Sequence, residues 1–265
     1  MRIGAVSYLN TKPLIEGLAE RRSDIDLIVD LPSRLADRLA RGELDVALIP
    51  SIEFFQNPSY QIISDACIGC RGPVMSVKVL FRRPPAEVKT LALDEGSRTS
   101  AALSRILLAE RFDVRPRLEP LPIGSGAADT KADAVLLIGD RAMHPVGETF
   151  VEEWDLGDVW CRWSELSFVF AMWVARPGVD LTGVDTLLSE ARDRGVAKLE
   201  EIAHREYERK GITYETCLTY LRDNLYFYLG KRELAGLNLY YQHAAAMGLA
   251  PQGLVLPQEP LISRR

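Results

Sequence analysis

The sequence predicts an α/β protein of two lobes with a ligand cleft between them. Three observations carry that expectation. Three strand–helix units fill the first fifty residues, with strands at 2–9, 25–31 and 45–51, a pattern that specifies a parallel sheet. A second α/β run follows the break at Arg82-Arg83-Pro84-Pro85, which reads as the crossing between lobes. The apolar strand at 167–175 then carries the chain back, and the remainder is helical. The expected division is residues 1–85 and 169–265 for the first lobe and 86–168 for an inserted second lobe, with the ligand in the cleft.

Taken in order, residues 2–9 are apolar, bounded and too short for a helix. Asn10-Thr11-Lys12-Pro13 follows, with Leu14, Ile15 and Leu18 at helical spacing; Thr11 can cap and Pro13 suits a first turn. Ser7 and Asn10 thus stand where a strand ends and a helix starts, the edge at which open α/β sheets bind ligands. Ser33 reads as the cap of a helix through Leu35, Leu39 and Ala40, stopped by Gly42, and the third strand ends at Ser51 in a polar loop. Residues 62–68 and 75–81 are further strands. In the second lobe a helix runs through Leu103, Ile106 and Leu107, followed by strands near 118–121 and at 134–138, the latter ending in Gly139-Asp140-Arg141. Leu187, Leu188 and Ala191, then Val196, Leu199 and Ile202, then Leu218, Leu221, Leu225 and Phe227 keep helical spacing, and 234–248 makes a last amphipathic helix.

The sharpest chemical signal is the stretch 91–103, a short strand, a turn at Glu95-Gly96, and a helix whose start is crowded by Ser97, Thr99 and Ser100. The first turn of a helix leaves backbone N–H groups without partners and gathers partial positive charge. With hydroxyls and Arg98 beside it, such a point seats a carboxylate or phosphate. An ordinary N-cap is the alternative, since Ser and Thr are preferred there in any case.

The 265 residues, 47% hydrophobic and 26% charged, describe an ordinary globular chain. A net charge of −5 and the lack of any Lys/Arg block argue against nucleic acid as a partner. Met1 leads at once into a strand, without a charged n-region or an apolar h-region, which predicts a cytoplasmic protein. The longest apolar runs, such as 168–175, are too short to span a bilayer, so no membrane association is expected. Cys67-Ile68-Gly69-Cys70 matches C-x-x-C, but a zinc site needs two further ligands, and His144, His204 and His243 are scattered. Cys67, Cys70, Cys161 and Cys217 are therefore read as reduced structural thiols, with no metal and no cofactor expected.

Ser7-Tyr8-Leu9-Asn10-Thr11-Lys12-Pro13-Leu14 resembles the opening of the chorismate dehydratases of the futalosine route to menaquinone. The resemblance continues through Leu48-Ile49-Pro50-Ser51, Gly72-Pro73-Val74-Met75-Ser76-Val77, Asp94-Glu95-Gly96-Ser97-Arg98-Thr99-Ser100 and Ile138-Gly139-Asp140. It resumes at Phe168-Val169-Phe170-Ala171, Tyr228-Leu229-Gly230 and Glu233-Leu234-Ala235-Gly236-Leu237, so it spans most of the chain in order. It implies the type II periplasmic-binding-protein fold without transport, each lobe a mixed sheet flanked by helices. The implied reaction is a lyase's: chorismate loses water to give 3-(1-carboxyvinyloxy)benzoate. A sister family, the 1,4-dihydroxy-6-naphthoate synthases, shares the fold and implies a catalytic histidine where this sequence has Gly139-Asp140. One departure from the family pattern is Ser164-Glu165-Leu166-Ser167, where Thr-Gly-Leu-Pro is expected.

Placed against that reaction, Ser97, Arg98, Thr99 and Ser100 would hold one substrate carboxylate. Ser7, Ser51, Gly139, Asn10 and Ser76 would meet the substrate elsewhere, Asn10 gripping the ring hydroxyl through an amide that both donates and accepts. Local turn or cap bonds are the plainer roles for Ser7 and Asn10, a satisfied neighbour that for Ser76, and a surface ion pair that for Arg98. No histidine stands near these segments, which leaves two bases, Asp140 or the substrate's own enolpyruvyl carboxylate, and the second is favoured. Asn10, Ser76 and Asp140 are the candidate catalytic residues. A solute-binding receptor for a small anion is the rival reading, a ligand-sensing domain the third, and a homodimer is left open.

Overall fold

The structure, a computed structural model, describes residues 1–22, 24–144 and 146–260. Its strands are β1 (Arg2–Val6), β2 (Asp26–Asp30), β3 (Val46–Pro50), β4 (Gln61–Cys70), β5 (Val77–Phe81), β6 (Thr90–Asp94), β7 (Arg117–Leu121), β8 (Ala134–Ile138), β9 (Glu152–Asp155), β10 (Phe168–Ala175) and β11 (Tyr226–Tyr228). Its helices are α1 (Leu18–Arg21), α2 (Pro32–Ala40), α3 (Ser51–Gln56), α4 (Arg98–Phe112), α5 (Leu156–Ser164), α6 (Val184–Ala197), α7 (Leu199–Lys210), α8 (Tyr214–Thr219) and α9 (Lys231–Ala246).

Two mixed sheets organise these elements. The first has the order β11-β4-β10-β3-β1-β2 and the second β7-β6-β8-β5-β9. β1 pairs in parallel with β2 and β3, whereas β10 runs antiparallel to β3 and β4. Every residue of β10 is buried, as an unbroken apolar run in mid-sheet requires. In the second sheet β6 is parallel to β7 and β8, and β5 is antiparallel to β8 and β9. One buried cluster runs from Ile3 and Leu48 in the first lobe to Leu103 and Trp160 in the second, so the lobes share apolar packing.

The boundary expected at residue 85 is corrected. Val77–Phe81 pairs with β8 and β9, so the chain crosses between lobes at residues 71–76. An apolar run announces a strand but not which sheet takes it, and Arg82-Arg83-Pro84-Pro85 is only the turn that follows β5. Met75, in the true crossing, has φ of 60°, a left-handed backbone uncommon for a side chain of its size. Asp155 pins the segment by accepting the amides of Val74 at 2.9 Å and Met75 at 2.6 Å.

Other elements differ in detail. Residues Leu9–Ile15 form a 3-10 helix with Pro13 inside it, and Thr11 is buried rather than capping. Pro32 takes the first position of α2, where its missing N–H costs nothing, which moves Ser33 inside the helix. α3 stands where a polar loop is expected, because Ile52, Phe54 and Phe55 find burial there. The run through Leu218 and Phe227 is not one helix: α8 passes into a π-helical turn, Tyr220–Asn224, and then β11. Tyr226-Phe227-Tyr228 are strand formers and pair with β4. All four cysteines are free, and Cys67 and Cys70, three apart on β4, point to opposite faces of the sheet. Among the described residues no cluster suits a metal ion, and no helix is long and apolar enough to cross a membrane.

Candidate active site

A cleft, partly open to solvent, lies between the two sheets. The first lobe contributes Val6, Tyr8, Asn10, Pro32, Pro50, Ile68, Phe170 and Ala171, the crossing segment Val74 and Ser76, and the second lobe Val77, Ser97, Thr99, Ser100, Ile138 and Gly139. The walls are mainly apolar, and the polar groups fall into two clusters.

The first cluster is the start of α4. Ser97 is its N-cap: the Ser97 Oγ accepts the Ser100 amide at 3.3 Å, and the Ser97 amide donates to the Asp94 carbonyl at 3.0 Å. Thr99 Oγ1 accepts the Ile52 amide at 3.3 Å, and the Tyr240 hydroxyl donates to the Thr99 carbonyl at 3.0 Å. This helix start is therefore tied to α3 and α9 of the other lobe. The amides of Arg98 and Thr99 are ones that a helix cannot satisfy internally, the kind of group that binds an anion. Behind them Asp94 builds the turn by accepting the Gly96 amide at 2.9 Å and the Arg141 guanidinium. Burial pushes the Asp94 carboxyl up, and Arg141 and the turn amides oppose that.

The second cluster joins three distant segments. The Tyr220 hydroxyl, from the π-helical turn, donates to Ser76 Oγ at 2.8 Å, and Asn10 faces the same hydroxyl. Asn10 Oδ1 accepts the Thr11 hydroxyl at 3.3 Å, and the Ser76 carbonyl accepts the Gly139 amide at 2.9 Å. Burial pushes the Tyr220 phenol up, so it stays protonated. Between the clusters lies Tyr8. Its ring covers Gly139, where a Cβ would sit 2.8 Å from it, and Gly139 has φ of 69° besides. Burial pushes the Tyr8 phenol up to about 12, which keeps it a neutral donor.

Six of the sequence-derived candidates thus reach the cleft: Asn10, Ser76, Ser97, Thr99, Ser100 and Gly139. Four do not. Ser51 Oγ donates to the Val169 carbonyl inside the first lobe. Ser7 is absent from the lining, and its amide donates to the Asp30 carbonyl at 3.0 Å along the sheet. Arg98 turns away from the seat to pair with Asp37 at 2.8 Å and Glu53 at 3.0 Å. Asp140 is already engaged: it accepts the Leu9 amide at 3.0 Å and pairs with Lys210 at 2.6 Å, fastening the end of β8 to the first lobe. The divergent loop also lies outside the cleft, where Ser164 Oγ donates to the Trp160 carbonyl at 2.9 Å and Ser167 Oγ to Glu233 at 2.8 Å.

Tyr8, Phe170 and Tyr220 are the site residues that a search for polar strand ends overlooks. Tyr8 and Phe170 lay inside recognisable segments, but Tyr220 sat in a run whose spacing spoke only of a helix. Among the described residues no histidine lines the cleft: His204 stacks on Tyr214 at 4.0 Å and His243 lies 3.2 Å from Glu110.

A chorismate dehydratase of Thermus thermophilus is 28% identical over 274 residues, covering 97% of this chain and 98% of that protein. A solved structure from Archaeoglobus fulgidus superposes with a TM-score of 0.69 at 16% identity, covering 94% of this chain and 97% of that one. The alkanesulfonate-binding protein SsuA from Xanthomonas axonopodis pv. citri, bound to MOPS, gives 0.63 at 12% identity, covering 97% and 96%. At those identities the likeness shows the fold alone, that of the periplasmic binding proteins. Residues 1–246 match the model of the family described as menaquinone biosynthesis, and the chain belongs to that family.

Proposed function

We propose that this chain is a chorismate dehydratase, a carbon–oxygen lyase converting chorismate to 3-(1-carboxyvinyloxy)benzoate and water. The family and the Thermus relative support the assignment. One observation carries the chemistry: among the described residues the cleft is lined by hydroxyls, an amide and a helix start, with no carboxylate, imidazole or amine. Such a lining accepts a dianion without repulsion and offers no ordinary general base.

Chorismate brings its own base. The C–H bond beside the ether oxygen breaks, its proton passes to the enolpyruvyl carboxylate, and the electron pair spreads into the ring diene and ring carboxylate. The neighbouring C–O bond then breaks, the enolpyruvyl carboxylic acid gives the abstracted proton to the departing hydroxide so that it leaves as water, and the ring becomes aromatic. Aromatisation supplies the driving force, so the protein's task is to orient the substrate and receive charge. The start of α4, with Ser97, Thr99 and Ser100, holds the ring carboxylate as negative charge grows on it. Asn10 and Ser76 grip the departing hydroxyl and act in the chemical step. Asp140, held by Lys210 and the Leu9 amide, serves to join the lobes rather than to take the proton.

The test is to incubate purified protein with chorismate and follow the ring by ultraviolet absorbance and proton NMR. The expected result is loss of the diene and appearance of an arene that keeps the enolpyruvyl ether. Chorismate bound but unchanged would instead make the chain a receptor for small anions.

A further inference from the structure

We infer that Tyr220 is a positioning residue for the elimination, aiming the Ser76 hydroxyl hydrogen into the cleft. The inference rests on the dehydratase reading of the site. The Tyr220 side chain is fully buried, and its hydroxyl donates to Ser76 Oγ at 2.8 Å. Only one hydrogen fits between two hydroxyl oxygens. Since Tyr220 supplies it, the hydrogen of Ser76 must point elsewhere, and Ser76 lines the cleft. A serine without that neighbour would spread its hydrogen over three rotamers and over competing acceptors. With it, Ser76 is a fixed donor for the leaving hydroxyl.

The backbone around Tyr220 is shaped for this contact. The Leu225 amide donates to the Tyr220 carbonyl at 3.2 Å, a five-residue step that widens the helix into a π-turn. Such turns insert a residue and re-aim its side chain, and they recur at functional sites. The same turn grips the crossing segment a second time, with Asn224 Nδ2 donating to the Pro73 carbonyl at 2.9 Å. Asp155 also holds the segment, through the amides of Val74 and Met75. Ser76 therefore follows the left-handed Met75 in a segment held by Asp155, Asn224 and Tyr220, of which Tyr220 touches its side chain. Asn10 lines the same cleft and meets the substrate beside Ser76.

Tyr220→Phe removes only the oxygen and leaves the ring that fills the site. In the chorismate assay kcat is expected to fall by about tenfold, the size of one lost neutral hydrogen bond, with KM within about twofold of wild type. Replacement by 3-fluorotyrosine, which keeps the hydroxyl, is expected to restore kcat. Combined with Ser76→Ala, Tyr220→Phe should cost nothing further, because its effect passes through the serine. Wild-type kcat in Tyr220→Phe, or a fully additive double variant, would overturn the inference. So would a Tyr220→Phe chain that fails to fold, since the hydroxyl would then serve the architecture. A wild-type protein that leaves chorismate untouched would overturn the dehydratase reading itself, and the positioning role with it.

Discussion

The two polar clusters of the cleft are built in opposite ways. At the start of α4, Ser97, Thr99 and Ser100 stand within four positions of one another, and backbone amides supply much of the binding surface. Across the cleft, Ser76 and Tyr220 meet over 144 positions of chain, and Asn10 lines the cleft from the 3-10 helix Leu9–Ile15. The local cluster presents amides that no single side-chain replacement removes. The assembled cluster depends on individual side chains, each fixed by the next. A seat made of backbone should be tolerant, and a group made of side chains should be brittle.

Substitutions separate the two, and the largest effect belongs to the assembled side. Asn10→Asp sets a carboxylate against a dianion in a poorly screened cleft and should lower kcat/KM by about a thousandfold. Its melting temperature should stay near that of wild type, since only one atom changes. If Asn10→Asp and Asn10→Ala both turn over normally, Asn10 is architecture and the contrast fails.

On the local side, Thr99→Val keeps the amide and removes the hydroxyl, which also accepts the Ile52 amide. KM for chorismate should rise by about tenfold with kcat nearly unchanged. A collapse of kcat instead would mean that the helix start is as brittle as the opposite wall.

The smallest effects are expected where side-chain bases are absent. Asp140→Asn should keep kcat within about tenfold of wild type, well short of the ~10²–10⁴ that loss of a general base costs. The rate should also show no limb at about pH 6–7, because no histidine titrates in the lining. Tyr8 does not add one: an acid whose pKa is raised to about 12 stays protonated, and donates, at every lower pH. Inactive Asp140→Asn with chorismate affinity intact would make Asp140 the base after all.

The same contrast explains what the sequence made legible. The helix start could be read because its chemistry is written in adjacent letters, and the cleft because strand, helix and return follow one another along the chain. Arg98 was misleading for a simple reason. Its position at the helix start follows from sequence, but the direction of its side chain was decided by Asp37 and Glu53, from helices that sequence does not place beside it. Asp140 likewise ends a strand at the cleft's edge, yet Lys210 from α7 claims it. Tyr220 was invisible because a π-turn and an α-helix share the same apolar spacing until the extra residue is seen. The position of β5 in the second sheet was hidden too, since pairing partners are a tertiary choice.

The claim at the centre is that chorismate, and not a side chain, takes the proton. A chorismate analogue with its enolpyruvyl carboxylate masked as an amide tests it directly, with Kd measured by calorimetry and single-turnover NMR run at saturation. The analogue should bind, more weakly for its lost charge, and remain intact while unmodified chorismate is dehydrated alongside it. Aromatisation of the bound analogue at a rate near that of chorismate would place the base on the protein and contradict the mechanism.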